Sequence, residues 1–189
     1  MKINSISLIS VVSLLSCVAD ANAGALADFY VGGMVGAGGQ TMFASHKNET
    51  DSTTMVGAIA GIDIPVFRAE VEYNYFDSSE LSTNAAMVNA YAKMASTVIM
   101  PYIGGGIGMV FGGEQSVKNA AGTKSNYSVK STAAYQAMLG VTIDPVVIPF
   151  KFDIEGRALY APDIYENPEN GTKPDMLQYG IRAKARFIF

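Results

Sequence analysis

The chain has 189 residues, a formal net charge of -4, 49% hydrophobic and only 16% charged residues, and a mean hydropathy of +0.21. That length suits one domain of ordinary size, and the charged fraction lies well under the usual ~25%. Mild acidity leaves no electrostatic footprint for nucleic acid, and a lone cysteine, Cys17, rules out a disulfide within the chain.

Residues 1–23 read as a secretory signal peptide. Lys2 gives a positive start, Ile6 to Ala19 an apolar stretch too short to span a membrane as a helix, and Ala21-Asn22-Ala23 a small-residue cleavage site. The mature domain then covers 24–189. A second reading of the same segment is a lipoprotein box at Leu14-Leu15-Ser16-Cys17, cut before Cys17 with lipid attached there. No later segment reads as a membrane-spanning helix, so the excess apolarity must be spread over strands.

Eight strand-like segments follow, at about 28–38, 54–64, 66–76, 86–95, 100–111, 128–143, 148–160 and 177–189. Each is near the ~9–11 residues that a tilted membrane strand needs. In the first, Gly32, Gly36 and Gly38 thin one side. Alternation is clearest in the third, where Phe67, Ala69, Val71, Tyr73 and Tyr75 interleave with Arg68, Glu70, Glu72 and Asn74. The fourth sets Val88, Ala90, Ala92 and Met94 against Asn89, Tyr91 and Lys93; in the fifth, Gly104, Gly106 and Gly108 oppose Ile103, Ile107 and Met109. The sixth opposes Ala133, Tyr135, Ala137, Leu139 and Val141 to Thr132, Gln136 and Thr142, and the seventh opposes Phe150, Phe152, Ile154, Ala158 and Tyr160 to Lys151, Asp153, Glu155 and Arg157. The last places Tyr179, Ile181, Ala183, Ala185, Phe187 and Phe189 on one face and Gln178, Arg182, Lys184 and Arg186 on the other.

Connections alternate in length. Short ones surround 63–65, 95–98 and 144–147; long ones run about 39–53, 77–85, 112–127 and 161–175 and are rich in Gly, Ser, Thr, Asn and charge. With the N-terminus on the periplasmic side, every short turn falls there and every long loop outside. Phe29, Phe67, Tyr102, Phe150, Phe152, Phe187 and Phe189 would form a ring belt near the turn rim, and Tyr73, Tyr75, Phe111 and Tyr160 another near the loop rim.

A soluble barrel around a ligand also alternates, with its apolar face inward. The signal peptide, low charge, one-sided long loops and terminal aromatic strand favour the opposite arrangement: an all-β, eight-stranded, antiparallel up-and-down transmembrane barrel, closed because open edges have no partners in lipid. The inward set is then Arg68, Lys93, Lys151, Arg157, Arg182, Lys184 and Arg186 against Glu70, Glu72, Asp153 and Glu155. Eight strands leave an interior just wide enough for such side chains to fill, which predicts an ion-paired plug instead of an open channel. Seven cations against four carboxylates require that some reach water, Asp28 or Asp63. Lumen-facing glycines would make room for long charged side chains.

Phe29-Tyr30-Val31-Gly32-Gly33, Pro101-Tyr102-Ile103-Gly104-Gly105-Gly106-Ile107-Gly108, Ala134 to Val141 and the end Arg186-Phe187-Ile188-Phe189 resemble the small eight-stranded outer-membrane barrels of Gram-negative bacteria, the group with the OmpA-type transmembrane domain and the Opa-like surface proteins. The resemblance covers the mature chain and implies an integral outer-membrane location with outer-membrane lipid and lipopolysaccharide as surroundings. It also implies that Tyr179, Ile181, Phe187 and Phe189 belong to a C-terminal signal read by the barrel-assembly machinery.

For activity the residues say less. One fold hosts unrelated functions. His46, beside Ser45 in the first long loop, is the only histidine and has no evident orienting partner, so no catalytic site is assigned. Asp163, Glu166, Glu169 and Asp175 lack the spacing of a calcium loop, so neither metal nor cofactor is expected. The expected role is surface binding, as an adhesin or a host- or matrix-protein ligand, through Phe43, His46, Asn48, Asn119, Tyr127, Tyr165 and Asn167. The alternatives are a structural protein of the outer membrane and, more remotely, a lipid-modifying barrel enzyme.

Overall fold

The structure, a computed structural model, describes residues 27–44, 47–78, 82–94, 98–112, 114–118, 124–128, 131–145, 147–164 and 173–189. The signal segment, Cys17, His46, Asn119, Tyr165 and Asn167 lie outside them. Eight strands, β1 (Asp28–Ala44), β2 (Lys47–Asp63), β3 (Phe67–Ser78), β4 (Thr83–Lys93), β5 (Ile99–Phe111), β8 (Thr132–Ile143), β9 (Phe150–Ala161) and β10 (Asp175–Ile188), form the wall. Two short strands, β6 (Glu114–Lys118) and β7 (Lys124–Ser128), make a separate hairpin.

Each wall strand pairs antiparallel with its chain neighbour, and β10 closes on β1 from Tyr30↔Ile188 to Phe43↔Asp175, giving a closed barrel. Closure leaves no unpaired edge along the shared ladder. Every second residue of β3 from Arg68 to Phe76 is buried and its neighbours are exposed, the period-2 consequence of a pleated strand between two unlike media. Outside are large apolar side chains such as Ile103, Ile107, Leu139 and Ile181, the last two 70% and 67% exposed. Inside are Arg68, Glu70, Glu72, Asp153, Glu155, Arg182, Lys184 and Arg186, none above 3%. This is a soluble protein's pattern turned inside out.

Three expectations need correcting. The span 39–53 is strand for most of its length, because β1 and β2 stay in register to Ala44↔Lys47. Threonines at Thr41 and Thr50, joined by a 3.0 Å hydroxyl contact, suit a strand, and the partner ladder lets polar residues continue where apolar alternation stops. Phe43 and Asn48 are therefore opposite each other on strands. Within 112–127, the hairpin β6–β7 pairs Gln115 with Tyr127, so Tyr127 too is on a strand. The long sixth segment begins at Thr132, not at 128.

The β1–β2 ladder also outreaches its neighbours. β2 pairs with β3 only from Thr53↔Ser78 downward, so among the described residues Lys47 to Ser52 pair with β1 alone. Ladder and hairpin project at the same end, hereafter the loop end; the opposite end carries the short turns.

Candidate functional site

Because strand parity turns each charged residue inward, the barrel interior is a column of ion pairs. At the turn end, Asp63 takes Lys93 and, at 2.9 Å, Arg186 Nη1. Lys151 sits at the rim, 15% exposed, 3.3 Å from the half-exposed Asp28 and 3.4 Å from Asp144. One level in, Asp153 receives Arg186 Nε at 2.7 Å, Arg68 Nη1 at 3.3 Å and the Thr142 hydroxyl.

The middle of the column is built on tyrosines. Tyr30 and Tyr91 donate to Glu70 at 2.8 and 2.9 Å, Tyr102 donates to Glu155 at 2.9 Å, and Lys184 Nζ lies 2.9 Å from Glu70 and 3.2 Å from Glu155. The Arg68 guanidinium stacks over the Tyr91 and Tyr102 rings, 4.0 and 4.6 Å from their centroids, a cation-π arrangement that offsets part of its desolvation. Arg182 then forks, Nη1 and Nη2 to Glu72 at 2.6 and 3.0 Å and Nε to Glu155 at 2.5 Å. Its planar fork matches carboxylate geometry as an ammonium cannot.

Toward the loop end the lining changes character. Arg157 lies 3.8 Å from Glu72, gives Nη2 to Gln178 at 3.4 Å and stacks on Phe76, while its Nη1 has no hydrogen-bond partner among the described residues. Gln178 passes its amide to Gln40 at 2.7 Å. Beside these, Phe76, Ala85, Val110, Leu159, Ala161, Ile164 and Met176 form a fully buried apolar cluster. Ile164, on the segment leaving β9, is held by its N–H to the Pro174 carbonyl at 3.1 Å.

Of the charged residues read as inward from sequence, all but Lys151 are buried, and Lys151 is at the mouth. Tyr102 is corrected: it shares the parity of Gly104, Gly106 and Gly108 and points inward, not into a rim belt. The role of the glycines is corrected in part. Tyr30 pairs across from Gly61, Tyr91 from Gly104 and Tyr102 from Gly140, and a Cβ at each glycine would run into the opposing ring. At these three positions the space serves an aromatic ring, whereas Gly106 faces Asn89 and Gln136, Gly108 faces Met87, and Gly36 faces Met55 and Arg182; Tyr-opposite-Gly was the signal that could have found Tyr30 and Tyr102. Among the loop residues, Phe43 is exposed on β1; Asn48 and Tyr127 are placed by backbone pairing. Tyr179, Ile181, Phe187 and Phe189 all face outward.

No protein-family model matches the chain, and no curated protein sequence matches it. Solved structures do. Neisserial surface protein A (NspA) aligns with a TM-score of 0.55 and 15% identity over 82% of this chain and 95% of its own. The N-terminal barrel of Pseudomonas aeruginosa OprF aligns more loosely, with a TM-score of 0.45, 10% identity, 82% of this chain and 97% of its own. Ail of Yersinia pestis, solved with the heparin analogue sucrose octasulfate, gives a TM-score of 0.40, 10% identity, 85% and 99%. At 15% identity the likeness to NspA is one of fold: a small, closed, eight-stranded barrel.

Proposed function

We propose that the chain is an integral outer-membrane barrel that displays its loop end to the medium as a binding surface and keeps its lumen closed. One observation carries the reading: a closed ladder with its large apolar side chains outside and its ion pairs inside. Such a surface in water would be one continuous apolar patch, far above the few hundred Å² that soluble proteins expose; in a bilayer it is the stable orientation. The fold-level likeness to NspA, a neisserial surface protein, supports it.

The lumen supports closure by its contents. The ion-paired column from Asp63 to Arg157 is topped by the apolar layer around Ile164, so an ion would have to displace both. The projecting β1–β2 ladder and the β6–β7 hairpin supply surface beyond the wall, and binding commonly sits on such elements. The reading assigns no catalysis, metal or cofactor. Leader cleavage after Ala23 and recognition of Phe187 and Phe189 by the assembly machinery belong to the same proposal, since an outer-membrane barrel must be exported and inserted.

The test has two arms. In fractionated cells the protein should reside in the outer membrane and, unboiled, run faster on a detergent gel than boiled. Cutting the β1–β2 ladder back to Gln40 and Asp51 and replacing 113–130 and 165–172 by Gly-Ser turns should keep that gel shift while attachment to host cells or matrix is lost. Retained attachment would remove the binding role and leave a structural one; a soluble, unshifted protein would remove the membrane assignment itself.

A further inference from the structure

The outer face of the barrel is not uniform. On β5, β8, β9 and β10 it carries Ile103, Leu139, Ile154 and Ile181, all strongly exposed. In the turn-side half of β1 to β4, small residues fall together: Ala60 pairs with Val31 on one side and Val71 on the other, and Ala69 lies between Ile62 and Ala90. The result is a slot of about 360 Å³, walled by Phe29 and Phe189 at one end and by Val71 and Val88 at the other.

We propose that this slot is a binding site for a single acyl chain of a phospholipid from the turn-side leaflet. The inference rests on the membrane reading above and adds a specific site to it. Three features fit that occupant. The lining that faces outward is apolar along its whole length, offering nothing to a headgroup or a peptide backbone. The mouth lies at the turn rim, where Phe29 opens β1 and Phe189 hydrogen-bonds to it at 3.0 Å, and the slot runs from there toward mid-strand at Val71 and Val88; a lipid tail enters a leaflet in that direction. Its volume falls within the ~300–1,000 Å³ that holds small ligands, whereas a second barrel needs a broad face, about 800 Å² per partner.

The driving force is packing and not water exclusion. Hydrocarbon is as apolar as the slot, so what favours occupation is dispersion contact that the walls forfeit when nothing narrow enough fills the gap.

Native mass spectrometry of the full mature chain tests this. The barrel is reconstituted in vesicles of palmitoyl-oleoyl phosphatidylethanolamine, checked by flotation and by the unboiled gel shift, then extracted into mild detergent. The wild-type spectrum should show one retained lipid. Ala60→Phe and Ala69→Phe, each filling the slot, should lose it, and Ala137→Phe on the exposed face of β8 should keep it. Equal retention in all four proteins, or loss of lipid from all, overturns the site; a dimer mass in place of the lipid adduct overturns it in favour of a second copy. Failure to float would instead count against the membrane reading, so the two outcomes separate.

Discussion

Tyr91 on β4 lies directly opposite Gly104 on β5, and its ring occupies the place that a side chain at Gly104 would fill. The same ring is the bed for the Arg68 guanidinium, packs edge-on against Tyr102 at 5.5 Å and anchors Glu70 through its hydroxyl. One missing Cβ thus sets the position of three polar side chains in the lumen.

Gly104→Ala should accordingly destabilise the barrel by about 1–3 kcal/mol, the usual cost of forcing bulk into a filled interior. Gly105→Ala is the control: it faces outward, where a new Cβ meets nothing closer than the Gln136 carbonyl at 3.8 Å, and should stay within about 0.5 kcal/mol. Urea unfolding in lipid vesicles, followed by the gel shift, reads both; equal midpoints would deny the aromatic ring its structural role.

Buried and rim ion pairs should part company in the same assay. Arg182→Met strips Glu72 and Glu155 of their shared partner deep in the lumen, leaving as cations among the described residues only Arg157 at 3.8 Å for Glu72 and only Lys184 at 3.2 Å for Glu155, and breaking such a buried pair costs about 3–5 kcal/mol. Lys151→Met removes a rim cation whose nearest partner Asp28 is half exposed and whose buried neighbour Asp63, 3.8 Å away, keeps Lys93 and Arg186, so the loss should stay near the ~1 kcal/mol of an exposed pair. Comparable losses from the two would mean that water reaches Arg182 as freely as Lys151.

Much of this was legible from strand parity alone. Alternation in Phe67 to Tyr75 and in Phe150 to Tyr160 assigned Arg68, Glu70, Glu72, Asp153 and Glu155 to one side, because a period of two is imposed by the backbone wherever two faces meet unlike media. What parity cannot supply is which strands face each other across the lumen. Arg182 meets Glu72, 110 positions away in sequence, only through closure of the barrel and its stagger. Tyr102 was misread for a related reason: an aromatic near a strand end suits a rim belt as well as a lumen, and only its parity with Gly104 decides. The β1–β2 extension escaped because polar strands beyond the apolar band carry no hydrophobic alternation, so Thr41 to Thr50 look like loop.

At the loop end, Ile164 is fully buried against the apolar layer that includes Phe76 and Met176. Ile164→Ala should cost about 2–5 kcal/mol and, in planar bilayers, raise the frequency of brief conductance events over the silent wild type. Val147→Ala, at an 87% exposed position in the last turn, should change neither. Stable large conductance from the unaltered monomer would show that the lumen is not closed.

The orientation of the two faces is open to a depth-graded test. Ile107, mid-way along β5, is 64% exposed on the outer face. If that face meets hydrocarbon, Ile107→Arg costs about 2–4 kcal/mol, because a cation at mid-bilayer depth loses its hydration, and Val147→Arg at the turn rim costs only about 0–1 kcal/mol. In water the order would differ, since both side chains would keep their solvent and neither charge would be penalised. Refolding the two variants into vesicles and comparing urea midpoints therefore separates a bilayer-embedded wall from a soluble one without reference to any ligand, and a flat response across depth would sink the membrane assignment on which the lumen and slot readings both stand.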